Sequence, residues 1–262
     1  MKNTMKIGFA SAALAAAACM SAPAMAADLY YGNGSLKDGG YHAPTRPVAS
    51  GPCYFRADTG YSWSTSPNAE WDQPLTDTSL SDSWIGSVGV GCSFSAQPGR
   101  GFRADIQFGT EGSRDFTGTP NPSDPAHTTI KSYTTLANGY YDIGTFGGIT
   151  PYVGAGVGVA YHKVSETYFT GPGAPVNRIE GKNDLSLAWA LMAGASVQLS
   201  ERFALDVGYR YLNMGSADTG RVDNAGFVNP LIHIDDIAAH EVRVGLRYAF
   251  GGSNCCAYAP MK

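Results

Sequence analysis

Ten charged residues stand at alternate positions inside otherwise apolar runs of this chain: Arg56 and Asp58, Arg103 and Asp105, Asp142, Asp206 and Arg210, and Glu241, Arg243 and Arg247. Five are Arg and five are Asp or Glu, so the chemistry they suit is mutual pairing out of water, where a lone charge is costly. Four cysteines, Cys53, Cys92, Cys255 and Cys256, could form disulfides in an oxidising compartment. The five histidines, His42, His127, His162, His233 and His240, are too dispersed to suggest a metal site. His162 lies beside Ser165 and Glu166, but a three-residue spacing puts two side chains on opposite faces of a strand, so the trio makes no catalytic group.

The elements that position the charges are eight runs of apolar and polar residues in alternation, each followed by turn residues. In the first, Phe55, Ala57, Thr59, Tyr61 and Trp63 oppose Arg56, Asp58, Gly60 and Ser62. The second sets Trp84, Val88, Val90, Cys92 and Phe94 against Ser87, Gly89 and Gly91, and the third Phe102, Ala104, Ile106 and Phe108 against Arg103, Asp105 and Gln107. The fourth is the weakest: Tyr133, Thr135, Ala137 and Tyr141 oppose Asn138 and Asp142, and Leu136 falls on the polar face. The fifth alternates Val153 to Tyr161 with Gly154, Gly156 and Gly158. The sixth runs from Leu185 to Leu199, the seventh sets Phe203 to Tyr211 against Asp206, Gly208 and Arg210, and the eighth His240 to Phe250 against Glu241, Arg243 and Arg247. An even number of such strands predicts an all-β, eight-stranded antiparallel up-and-down barrel over residues 52–250.

Alternation alone leaves the faces unassigned. A soluble lipocalin-like barrel would turn its apolar face onto a ligand cavity. Here the polar face is rich in Gly, poor in Lys and balanced in charge, which fits a narrow interior better than a hydrated exterior. Tyr and Trp gather near the run ends, as aromatic girdles do at a membrane interface. The connections near 95–100, 144–148 and 200–201 are short, and those near 65–82, 113–130, 162–183 and 214–238 are long and polar. That asymmetry predicts a transmembrane barrel with turns in the periplasm and four loops outside.

Composition agrees. Charged residues are 15% of the 262, below the quarter usual in soluble domains, and 33 residues are Gly. At 44% hydrophobic the chain is not disordered, and its formal net charge of −4 offers nothing to nucleic acid. Lys2 and Lys6, the apolar stretch from Ile7 to Ser21 and the small residues Ala24-Met25-Ala26 read as a signal peptide over 1–26, cleaved between Ala26 and Ala27. A lipidated Cys19 is the rival, but Ala16 stands where a lipobox wants a Leu-like residue. Residues 27–51 read as a flexible periplasmic arm and 251–262 as a short Cys-containing tail.

Four segments in order, LANGYYDIG at 136–144, ITPYVGAGVGVAY at 149–161, LDVGYRYLN at 205–213 and HEVRVGLRYAF at 240–250, resemble the small OmpA-like or opacity-protein outer-membrane barrels. Within these, the alphaproteobacterial surface-antigen porins are the subset most resembled. The resemblance implies residence in the outer membrane of a Gram-negative envelope, delivery by the outer-membrane insertion machinery and contact with lipid and lipopolysaccharide. It also implies a role in envelope structure, adhesion or contact with a host or cell-surface ligand through the loops, without cofactors. Phe250 sits where such barrels end on an aromatic assembly signal, although twelve residues follow it.

Two other functions fit parts of the sequence. A narrow porin is the alternative, because Gly154, Gly156 and Gly158 leave space in an interior otherwise filled by side chains. An outer-membrane enzyme acting on lipid or peptide is more remote: His233, Asp235, Asp236 and His240 resemble the Asp/His pairs of ten-stranded omptin proteases, but loop polarity explains them equally. Cys53 opens the first run and Cys92 closes the second, on the same outward face near the periplasmic end of one hairpin. Cross-strand Cβ atoms there are about 4.5–5.5 Å apart, close to disulfide geometry, so a bridge and two free thiols both remain open. Adjacent Cys255 and Cys256 could pair with another chain or with these thiols.

Overall fold

The computed structural model describes residues 53–71, 73–94, 99–119, 125–170, 178–223, 226, 228 and 230–250. The signal peptide with its Ala26–Ala27 junction, the arm, and the tail with Cys255 and Cys256 lie outside them.

Eight strands form the wall: Cys53–Ser64, Ser83–Ser93, Gly101–Thr119, Ala126–Asp142, Ile149–Val164, Asn183–Gln198, Phe203–Asn213 and Ala238–Phe250. Each pairs antiparallel with the next, and the eighth pairs with the first over twelve residues, from Cys53 opposite Phe250 to Ser64 opposite Ala239, which closes the ring. Register partners traced once around, through Cys53, Cys92, Ala104, Gly139, Ala155, Leu191, Tyr211 and His240, return to the first strand at Trp63, ten residues on (63 minus 53). That stagger goes with strands tilted by about 35–45° to the axis.

The strands twist into a ring because alternation gives each one two incompatible faces. Outside are Phe55, Val88, Val90, Ile106, Phe108, Val157, Leu187, Leu191, Val207, Val244 and Leu246, all exposed. No water-soluble monomer leaves so continuous an apolar belt uncovered. Phe94, Phe102, Phe203 and Tyr248 band its edge at the short turns, and Tyr61, Trp63, Trp84, Tyr133, Tyr161 and Trp189 its edge at the long connections. Ten tilted residues at about 3.3 Å each separate the bands by roughly 25 Å, the height of an outer-membrane apolar zone.

Two departures from the sequence expectation concern the long connections. The stretch 113–130 is mostly wall, since the third strand runs to Thr119 and the fourth starts at Ala126. The ladder slips between Thr110 and Ser113, where Gly112 takes φ +69 at a β-bulge. A side chain at Gly112 would meet the Trp84 carbonyl at 2.8 Å. The connections 65–82 and 214–237 also fold: Ala217–Asp218, His233–Asp235, Asn68–Trp71 and Gln73–Pro74 pair as a four-stranded sheet beyond the barrel rim.

Candidate functional site

Inward-facing residues of all eight strands meet in the lumen, and most of them are polar. Nearest the short turns, Arg103 reaches Asp142 with Nε and Nη2 at 2.7 and 2.8 Å. Across from it Arg247 Nε lies 2.6 Å from Asp206, whose other oxygen takes the Ser196 hydroxyl. One layer further in, Arg56 donates to Asp58 at 2.6 and 2.9 Å, to Asp105 at 3.0 Å and to the Tyr140 hydroxyl at 2.9 Å. Gln107 and Asn138 amides donate to Asp58 and Asp105, both at 2.8 Å. Arg243 lies 3.7 Å from Asp58 and donates to Ser87.

A third layer adds Glu111 and Arg114 to the charges read from the sequence. Arg210 grips Glu241 through Nε and Nη2 at 2.6 and 3.0 Å and reaches Glu111 at 2.9 Å. Arg114 donates to Ser62 at 2.7 Å and to Ser64. Thus the ten charges named from the sequence all face inward and stand in ion pairs, joined by Glu111 and Arg114, which lie beyond the third alternating run of the sequence. The bulge at Gly112 shifts the inward parity from odd to even, bringing Arg114 and Phe116 inside. Glycine at a strand interior, followed by a second alternating stretch in opposite phase, was the available signal.

Inward glycines of the fifth, sixth and seventh strands lie hard against neighbouring groups. A side chain at Gly154 would strike the Tyr140 ring at 2.6 Å, and one at Gly194 or Gly208 the Tyr152 hydroxyl at 2.6 Å. The missing side chains make room for two inward tyrosines, packed edge to face at 5.7 Å, with Arg103 over both rings at 4.9 and 5.2 Å. The central space that remains is about 20 Å³, lined by Arg56, Asp58, Tyr140, Tyr152, Arg210 and Arg243, which is room for about one water. A separate pocket of about 80 Å³ lies at the short-turn mouth, lined by residues that include Tyr54, Arg103, Asp142 and Arg247.

Above the ion pairs the lumen turns apolar. Phe116, Ile130, Val164 and Leu212 from the wall pack with Ile232, Ile234 and Ile237 from the last loop and Leu75 and Leu80 from the first. Ile232 and Ile234 are 0% exposed. The loop is thereby folded over the barrel mouth, against the expectation of a polar connection; alternation in Ile232-His233-Ile234-Asp235 carries the reason. Its upper face is charged. Lys182 reaches Asp218 at 2.7 Å, while His233 bonds Asp218 with Nδ1 and lies 3.1 Å from Asp235 with Nε2. The Asp218 hydrogen bond, supported by Asp235, raises the His233 pKa above its usual 6.5.

Of the other histidines His42 lies outside the described residues, and His127 stands between the Thr117 and Thr170 hydroxyls at 3.2 Å each. His162 is buried: its Nε2 lies 2.9 Å from the Met214 carbonyl, which can only accept, so Nδ1 accepts from Ser132 at 2.8 Å. A serine beside an imidazole nitrogen is the contact a nucleophile and base would make, but here it runs through Nδ1, with the proton on Nε2, the reverse of the usual serine-activating tautomer, and His162 is 0% and Ser132 2% exposed. Neither Ser165 nor Glu166 joins it; Glu166 pairs with Arg178 at 3.3 Å. His240 faces outward against the Tyr209 hydroxyl at 2.5 Å, apart from the His233 cluster. Among the described residues no group of three or more metal-ligating side chains is arranged around a common point.

Cys53 and Cys92 are register partners on the outer face and are joined as a disulfide at the open end of the first hairpin.

A closed antiparallel ring with a belt of bilayer-facing apolar residues, aromatic bands and a paired polar interior defines an outer-membrane barrel. The chain belongs to the outer membrane protein β-barrel domain family, whose model matches residues 12–250. It is 30% identical over 244 residues to an uncharacterised protein of Brucella melitensis biotype 1, covering 75% of this chain and 84% of that one. A candidate adhesin of Rickettsia bellii is 29% identical over 207 residues, covering 74% and 86%. Outer membrane protein PagN of Salmonella typhimurium is 30% identical over 132 residues, covering 48% and 55%. Among solved structures, Neisserial surface protein A aligns with 18% identity and a TM-score of 0.46 over 76% of this chain and 97% of that one.

Proposed function

We propose that this chain is a non-catalytic barrel that strengthens the envelope and meets surface partners through its loops. The observation that carries this is the folded cap. A four-stranded loop sheet with an isoleucine core gives the exposed residues around it a fixed frame, as scaffold-borne binding loops need. Similarity to a candidate adhesin supports the same reading. Contact with outer-leaflet lipopolysaccharide and delivery by the insertion machinery belong to this proposal, as does oxidation of Cys53 and Cys92 after export past Ala26.

The test is adhesion of non-adherent Gram-negative cells displaying the full chain to cultured epithelial cells. Adhesion above that of vector-only cells is expected, and it should fall when exposed Tyr168 and Val228 become Ser while the heat-shifted gel band persists. Adhesion equal to vector-only cells overturns the loop-contact reading. The narrow-porin alternative is met by planar-bilayer recording: the paired lumen and its water-sized central space support no unit conductance above background. A steady conductance altered by Arg243→Ser would carry the pore reading instead.

A further inference from the structure

We propose that Lys131 and Lys163 form a site for the phosphate groups of an outer-leaflet glycolipid. The two lysines are direct register partners on the fourth and fifth strands and share the outward face. Both are exposed, and neither has a hydrogen-bond or ion-pair partner among the described residues. Like charges directly opposite across a ladder repel, so the pair stands in a position that is unfavourable until an anion is added.

Its height identifies the anion. One pleat below lie Tyr133 and Tyr161, themselves register partners on the same face and members of the aromatic band on the loop side. Lysine stems can lie along such rings and lift their ammonium groups to the headgroup level. Ser113 and Asn183, opposite Lys131 and Lys163 on the flanking strands, extend the row with neutral hydrogen-bonding groups. Asp115, one pleat higher on the third strand, accepts the Thr129 hydroxyl at 2.8 Å, and Glu166, beyond the end of the fifth, pairs with Arg178 at 3.3 Å. A phosphomonoester on a lipid sugar would receive both ammonium groups while its acyl chains lie on the apolar belt. The site needs the loops to point outward but does not depend on their binding anything.

The full chain is folded into phosphatidylcholine vesicles with and without lipid A, and the midpoint of its heat-induced gel shift is read. Lipid A should raise the midpoint of the natural chain. In Lys131→Gln/Lys163→Gln that rise should be lost, while in pure phosphatidylcholine the variant should match or exceed the natural chain because the repulsion is gone. Lys131→Glu, which places opposite charges across the ladder, should raise the phosphatidylcholine midpoint and also abolish the response. An equal rise in the natural chain and the double variant overturns the proposal. So does a rise of the same size with dephosphorylated lipid A, or with inorganic phosphate added to plain phosphatidylcholine. Adhesion of displaying cells is a separate readout, so failure here and failure of the loop reading are distinguishable.

Discussion

Arg210 shows how the lumen works at the scale of single residues. It pairs with two buried carboxylates, Glu241 and Glu111. Replacing one partner of a buried pair strands the other charge and costs about 3–5 kcal/mol. Arg210→Met is therefore expected to lower the urea midpoint of the folded barrel by that amount, whereas adding Glu241→Gln should recover part of the loss; equal midpoints for Arg210→Met and the natural chain would contradict the pairing. The inward placement of Arg56, Asp58 and their companions was legible in the sequence because period two leaves no other option once one face is apolar. The identity of partners was not, because contacts such as Arg56 to Asp105 span 49 residues and cross the lumen, where tilt and stagger decide who meets whom. Glu111 and Arg114 escaped for a local reason: a one-residue bulge reverses the parity on which the reading rested.

At the scale of elements, the first hairpin and the last loop carry measurable expectations. The Cys53–Cys92 bridge closes a loop of about 40 residues, for which chain entropy gives up to about 4 kcal/mol. Cys53→Ser/Cys92→Ser is expected to lose that much in urea, and the unreduced denatured natural chain should migrate faster than the reduced one; identical mobilities would argue against the bridge. In the loop sheet, His233 is held protonated above its usual pKa by Asp218. A raised pKa means the added stability is complete below about pH 6.5 and is lost as pH rises through the shifted value. Amide exchange at Ile232 and Ile234, corrected for intrinsic rates, should thus quicken between neutral and mildly alkaline pH, and His233→Gln should flatten that dependence. The strands were legible because each is long and periodic; the loop fold was not, because two- and three-residue strands lie below the length at which alternation stands out.

At the scale of the whole molecule, burial and closure act together. Ile234 belongs to a core that joins wall and loops, so Ile234→Ala is expected to cost about 2–5 kcal/mol. Its effect should appear in global unfolding of the barrel in lipid vesicles, and a change confined to protease cleavage of the loop would show that the cap melts separately. The overall architecture was the most legible feature of all, since even strand number, alternating faces and lopsided connections converge on one topology. The sealed mouth was the least legible, since it arises from residues of two loops 150 or so positions apart packing over one opening.

The pairing of the first strand with the eighth is antiparallel like the other seams, and it runs uninterrupted from Cys53 to Ser64. A ring of this kind has no privileged starting point; order along the chain is a matter of synthesis, and the finished wall retains no record of it. Joining Phe250 to Cys53 through a short linker and opening new ends between Gln198 and Phe203, at a short periplasmic turn, should therefore yield a rearranged gene product that assembles into the same cylinder.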